Sequence, residues 1–117
     1  MPKERYYRFR APRRALLALR GRLVAEGRHF KTWVVEVLES AAHGEIPGSV
    51  PEPGLTDGNG AMRWVSLRFG PREARAYERA QQVLRAQGRN VAWLLRARIA
   101  EEVHRHAGSG PVSVVRR

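Results

Sequence analysis

Residues 64–69 read Trp-Val-Ser-Leu-Arg-Phe, and the strict alternation of two sets of side chains in this stretch predicts a β-strand with one buried face. Residues 6–10 read Tyr-Tyr-Arg-Phe-Arg and alternate in the same way. A single strand leaves its backbone N–H and C=O groups without partners, so the two strands are expected to pair with each other, antiparallel. The inner face would carry Tyr7, Phe9, Val65, Leu67 and Phe69, and the outer face Tyr6, Arg8, Arg10, Trp64, Ser66 and Arg68.

These strands open two halves of the chain that repeat one order of features. Residues 8–15 read RFRAPRRA and residues 68–74 read RFGPREA, so each half has Arg-Phe, a short step and then Pro-Arg. Each half continues through a helical stretch to a glycine-arginine pair, and then through an apolar segment that contains a tryptophan. The repeated order predicts a duplication, with one strand and two helices in each half. The halves would end near His43-Gly44 and Ala107-Gly108.

The helical stretches carry apolar residues at the spacing of a helix that buries one face. Gly27 and Gly88 are predicted to end the first helix of each half. Pro12 and Pro71 suit the first turn of that helix, and Asn90 suits the N-cap of the last one. The predicted stripes are Leu16, Leu19 and Leu23, then Phe30, Trp33, Val34, Val37 and Leu38, and in the second half Tyr77, Ala80 and Leu84, then Val91, Leu94, Leu95 and Ile99.

Charge separates the two halves. Residues 1–44 hold 10 basic and 4 acidic groups, and residues 62–117 hold 12 and 4. The stretch between them, 45–61, has three acidic groups, no basic one and many Pro and Gly residues, which is typical of a linker. A coil of that length reaches roughly 25 Å. The chain therefore divides into a first repeat (1–44), a linker (45–61), a second repeat (62–107) and a flexible basic tail (108–117).

The net charge of +11, with 20 arginines among 22 basic residues, favours a polyanionic partner. The hydrophobic content of 43% is enough for a folded domain. No apolar run approaches the roughly 18 residues of a membrane span, and no signal segment opens the chain, so we expect no membrane association and a cytoplasmic protein. The absence of cysteine excludes disulfides, thiol catalysis and thiolate zinc sites.

A strand, a helix, a glycine-polar turn and a second helix in about 45 residues resembles the ribbon-helix-helix family of DNA-binding proteins, of the MetJ and Arc type. The resemblance covers roughly residues 5–43 and 63–105. It implies a mainly α fold with a short two-stranded antiparallel ribbon, formed here within one chain by two β-α-α repeats as a pseudo-dimer. It also implies a monomer with an internal pseudo-two-fold axis that can bind side by side on double-stranded DNA.

The candidate site has two parts. A two-stranded ribbon fits the major groove, where arginine pairs with guanine and serine with any base, so the six outer-face residues are candidate base readers. Phosphate contact or plain surface exposure is the alternative for these arginines. The resemblance implies phosphate binding at the start of each second helix, where free N–H groups and the helix dipole favour an anion. The matching residues are Arg28, His29, Lys31, Thr32, Arg89 and Asn90.

Other side chains are expected to have structural roles. Trp33 and Trp93 lie in apolar helical stretches and should pack in the core, and Arg75, Arg79 and Arg96 should form a solvated face. His104 and His106 do not make a metal site without further ligands, and no catalytic or cofactor-binding motif occurs. We therefore expect no enzyme, no metal and no cofactor. The leading hypothesis is a sequence-specific transcriptional regulator, most simply a repressor; the alternatives are a relaxosome or plasmid-maintenance accessory protein, an antitoxin-type interaction module and an RNA-binding protein.

Overall fold

A computed structural model describes residues 5–47 and 61–115, with residues 105–115 described for the backbone only. In these ranges the chain is mainly helical and has one two-stranded antiparallel sheet, which confirms the predicted class at that level. The elements in chain order are β1 (Arg5–Pro12), α1 (Arg13–Ala25), α2 (Phe30–Ala42), β2 (Met62–Phe69), α3 (Pro71–Arg85) and α4 (Val91–Val115).

The two strands form a ribbon of eight opposed pairs, from Arg5 with Phe69 to Pro12 with Met62. Side chains alternate between its faces as the sequence predicts. On the inner face Phe9, Val65 and Phe69 are buried, and Tyr7 is half-buried with its ring stacked 5.8 Å from that of Phe9. The inner face is therefore an aromatic and aliphatic surface that covers the helices.

The four helices pack in crossed pairs beneath the ribbon: α1 contacts α4, and α2 contacts α3. Between the first pair, an Arg22 guanidinium N–H donates to the Glu102 carboxylate at 3.0 Å. The predicted stripes form the core, with Phe30 and Tyr77 at its margin, and both Trp33 and Trp93 are buried as predicted. No polar or charged residue is buried in the part of the chain that the structure describes.

Glycine ends the first three helices. Gly27, Gly44 and Gly88 all have positive φ, between 70° and 92°, a conformation that costs other residues energy. In each case the next residue's N–H turns back onto the helix; that of Arg28, for example, donates to the Leu23 carbonyl at 2.8 Å. The predicted stops at residues 27, 44 and 88 are confirmed, with a physical reason for each.

Two predicted boundaries are wrong. Pro12 is not in the first turn of α1; it is the last residue of β1, with φ −57° and ψ 129°, because the ladder continues until the Arg13 N–H donates to the Ala61 carbonyl at 3.0 Å. The last helix does not stop near Ala107-Gly108, since α4 continues to Val115 and includes residues 108–115 of the expected tail. Glycine permits a helix end but does not impose one, because helical φ is equally open to it.

The start of the predicted linker is packed against the folded part. Ile46 contacts the core, Pro47 is buried, and the Glu45 carbonyl accepts a hydrogen bond from Arg98 of α4 at 3.0 Å. The rest of the predicted linker, residues 48–60, lies outside the described residues, as do residues 1–4 and 116–117.

Candidate nucleic-acid interface

The outer face of the ribbon brings together all six side chains that the sequence assigned to base reading. In the observed register Tyr6 lies opposite Arg68, Arg8 opposite Ser66, and Arg10 opposite Trp64. All six are exposed. The two aromatic side chains are among the most exposed large ones described, Tyr6 at 71% and Trp64 at 56%.

All the charged residues of the ribbon are basic. The two strands contain five arginines and no acidic residue. The carboxylates found in ion pairs in the described part of the chain lie on the helices or at their ends, where they pair mostly with helix cations. Positive charge on the outer face is thus opposed by no carboxylate within either strand.

Arginine and tryptophan stack on one another on this face. The Arg8 guanidinium lies over the Trp64 ring, 4.6 Å from its centroid, and that of Arg10 lies 5.6 Å from the same centroid. An exposed cation–π contact is worth about 0.5–1 kcal/mol, enough to favour one side-chain position over many. Trp64 therefore orients two guanidinium groups, a function that the sequence alone did not suggest for it.

The six residues assigned to phosphate binding fall into two separate groups, at the starts of α2 and α4. Near α2, the Lys31 ammonium lies 3.4 Å from the Glu73 carboxylate, which also accepts a bond from the Gly70 N–H just beyond β2. Near α4, an N–H of Arg96 in the second turn donates to the Arg10 carbonyl of β1 at 3.3 Å. The two groups thus adjoin different parts of the ribbon.

The group at α4 is well ordered by local contacts. The Asn90 side-chain oxygen accepts a hydrogen bond from the Trp93 N–H at 2.8 Å, which confirms the predicted N-cap. The Arg89 guanidinium lies 4.2 Å from the centroid of the Trp93 ring. A cap that uses the amide oxygen leaves the amide NH2 group of Asn90 as a possible phosphate donor.

The group at α2 is partly occupied by acidic partners. Arg28 pairs with Glu36 at 2.8 Å and with Glu26 at 3.3 Å. Hydrogen bonds from Arg22 and then Arg28 lower the pKa of Glu26, so this carboxylate stays charged. His29 and Thr32 are exposed, and His29 makes no side-chain cap bond. A phosphate at α2 would have to compete with these ion pairs, which are exposed and individually weak.

Sequence reasoning left several exposed arginines beside the ribbon out of the candidate site, Arg5 among them, and misplaced Arg96. Arg13 and Arg14 follow β1, Arg63 lies within β2, and Arg72 follows β2 after two residues. For Arg13 and Arg72 the signal was the Pro-Arg dipeptide, which occurs at the end of β1 and again two residues after the end of β2. Arg96 is not part of a solvated face; it is half-buried, because its side chain reaches the strand backbone.

The described residues include no group of three or more His, Asp or Glu side chains placed to hold a metal ion. Nor is any helix among them both long and apolar enough to cross a membrane.

Comparison of the chain with protein-family models, with curated proteins and with solved structures finds no match.

Proposed function

We propose that this protein binds double-stranded DNA by inserting the ribbon into the major groove. The observation that carries the proposal is the outer face itself: six exposed side chains, three of them arginine, on a ribbon without a carboxylate. Two strands about 5 Å apart fit a groove about 12 Å wide. Arginine forms paired hydrogen bonds to guanine there, and the Ser66 hydroxyl can both donate and accept.

The arrangement of the helices supports a ribbon-helix-helix interpretation. The order strand, helix, helix occurs twice along the described chain, and the first helix of each set packs on the second helix of the other. We propose that these are two repeats forming a pseudo-dimer within one chain. The helices then act as the platform that keeps the ribbon exposed, and the starts of α2 and α4 serve as phosphate contacts beside it.

As a biological role we propose transcriptional regulation, most simply repression. A protein that occupies the major groove at a chosen sequence excludes other proteins from that site. A basic surface of this kind also binds DNA non-specifically, and a protein bound in that way can reach its specific site by moving along the DNA.

The test is a titration of the full chain against one sequence as duplex DNA, single-stranded DNA and RNA. We expect the duplex to bind most tightly. One face of Trp64 is already covered by Arg8, which disfavours stacking of an unpaired base on it. Tighter binding of either single strand would contradict the proposal.

Salt dependence gives a second, independent measurement. If arginines displace counterions from phosphates, the logarithm of the association constant for random duplex DNA should fall linearly with the logarithm of the salt concentration, with a slope equivalent to several phosphates. Fluorescence anisotropy between about 50 and 200 mM salt measures the slope. A flat response would remove the electrostatic basis of the proposal.

A further inference from the structure

Arg8 and Arg68 occupy corresponding positions in the two strands. The ribbon is not the same on the two sides of the local two-fold axis that relates them. In an antiparallel pair of strands, a local two-fold axis perpendicular to the ribbon passes midway between any two directly opposed residues. The axis through Tyr7 and Leu67 relates Arg8 to Arg68, since each is the next residue in its strand. Beyond that axis the ladder continues for two pairs on one side and five on the other, about 7 Å and about 17 Å. We call these the short arm (5–6 with 68–69) and the long arm (8–12 with 62–66).

The outer faces of the two arms carry different side chains. Tyr6 on the short arm corresponds to Ser66 on the long arm. The residue that corresponds to Arg10 is Gly70, which has no side chain and lies beyond the end of β2. The long arm therefore presents a further outward arginine, stacked with Trp64, that has no counterpart among the described residues of the short arm.

Charge around the arms differs in the same sense. Near the short arm, Arg5 pairs with Glu78 at 3.3 Å and Lys31 with Glu73 at 3.4 Å, whereas the exposed Arg72 has no carboxylate partner among the described residues. Near the long arm, Arg13, Arg14 and Arg63 are exposed and have no carboxylate partner among the residues that the structure describes. Of these four exposed arginines that have no carboxylate partner among the described residues, three lie near the long arm and one, Arg72, near the short arm.

We propose that this protein recognises a non-palindromic duplex site and binds it in one orientation only, with the long arm setting the orientation. This rests on the proposed function and specifies the class of DNA that the site takes. A symmetric ribbon presents the same groups to both halves of its site and so favours palindromes. Here one half of the site meets Arg8, Ser66, Arg10 and Trp64, and of the described outer-face residues the other half meets Arg68 and Tyr6.

Within this scheme Trp64 is a positioning residue. Its ring holds the Arg8 and Arg10 guanidinium groups at 4.6 and 5.6 Å, so less side-chain freedom is lost when they meet base edges. The half-site read by the long arm should therefore be longer and more strongly specified than the other.

The native chain has no cysteine, so a single introduced one is a unique attachment point for an iron-EDTA group that cleaves nearby DNA. Arg14→Cys and Arg72→Cys form a matched pair: both positions are exposed, both follow a strand, and they lie at opposite ends of the ribbon. The probe DNA is the duplex that the unmodified chain binds with the highest affinity when it is offered a randomised library. We expect a non-palindromic consensus, with each labelled protein cleaving one flank and the two cleaving opposite flanks.

The outcomes separate this inference from the proposed function. A palindromic consensus, or cleavage of both flanks by each labelled protein, would overturn the oriented site while leaving DNA binding intact. Failure to select any duplex would remove the proposed function, and the oriented site with it. Circular dichroism of the labelled proteins establishes that both are folded before cleavage is compared.

Trp64→Phe and Trp64→Leu in the Arg14→Cys background test the positioning role. Phenylalanine keeps an aromatic ring, and cleavage should stay on one flank. Leucine removes the ring and with it both cation–π contacts. The preference for one orientation should fall about tenfold, which corresponds to about 1.4 kcal/mol for the two contacts together. Equal weakening on all duplexes with an unchanged flank ratio would show that Trp64 has only a structural role.

Discussion

Arg8 of the ribbon differs in its surroundings from three arginines of the helical part of the protein. Arg22, Arg28 and Arg98 pair with glutamates on the helices, and such pairs hold their guanidinium groups against the protein surface. Arg8 instead lies over an aromatic ring, and it has no carboxylate partner among the described residues. A guanidinium held in this way suits the bidentate geometry of guanine recognition.

Arg8→Ala and Arg68→Ala should each weaken binding to the selected duplex by about 1–3 kcal/mol, with little effect on random duplex. The two losses in affinity would come from contacts with particular bases, which random duplex DNA does not present at the right positions. Arg75→Ala is the matched control: this exposed arginine lies on α3 and not on a strand, and its loss should have a much smaller effect. Affinities measured on both DNAs at one salt concentration provide the comparison, and equal losses on the two would assign Arg8 and Arg68 to phosphate.

Tyr7 gives the fold a dependence on pH at the alkaline end. Burial raises the pKa of the Tyr7 hydroxyl, and the neighbouring Tyr77 raises it further, while Arg96 acts in the opposite direction. The folded protein thus holds this hydroxyl neutral, whereas in the unfolded chain it ionises near pH 10. The free energy of unfolding should be unaffected by Tyr7 below that pH and should fall above it.

Urea unfolding at a series of pH values up to about 11 measures this effect. Tyr7→Phe should reduce the alkaline loss of stability, since it removes the group that must stay neutral. Tyr6→Phe, at the exposed neighbouring position, should leave the loss unchanged. An equal alkaline loss in native protein and Tyr7→Phe would assign it to other groups.

At the level of single elements, local signals predicted the faces and ends that depend on nearby residues. Alternation identified which side of each strand is buried, and Gly27 and Gly88 marked helix ends. The register did not follow from alternation, because shifting one strand by two residues keeps the same faces. The stack of Arg10 and Trp64 exists only in the observed register, and so it could not be predicted. Pro12 suits a helix start or a strand end equally, and the contact of its neighbour Arg13 with Ala61 decides between them.

The starts of α2 and α4 predict different sensitivities to substitution. Asn90→Ala should lower the free energy of unfolding by about 1 kcal/mol, because the Trp93 N–H loses its side-chain acceptor. His29→Ala should change it by less than about 0.5 kcal/mol, since His29 makes no side-chain cap bond. Chemical denaturation of both variants tests this, and equal effects would show that the cap contributes no stability of its own.

For the whole molecule, the crossed packing of the helices makes each half depend on the other. The first helix of each set packs on the second helix of the other, and the ribbon takes one strand from each. Arg22 of the first half also bonds Glu102 of the second, and Arg98 of the second bonds the Glu45 carbonyl. The buried apolar stripes of each half therefore pack against helices of the other half.

Neither half of the chain is expected to fold alone as a monomer. Residues 1–44 or 62–117, expressed separately, would expose an apolar stripe on each helix and an unpaired strand, so each should be unfolded or self-associated. Mixing the two should restore the fold as a heterodimer. That heterodimer should be weaker than the intact chain, which holds its halves at a high effective concentration.

Circular dichroism and sedimentation of the separate and mixed halves measure both parts of this prediction. The intact chain at the same concentrations is the control and should be a folded monomer. Self-association of one half alone would be consistent with the prediction, because a second copy can supply the missing strand and helices. Two halves that are each folded and monomeric would contradict the shared core, and Arg8 and Arg68 could then no longer be assigned to one reading surface.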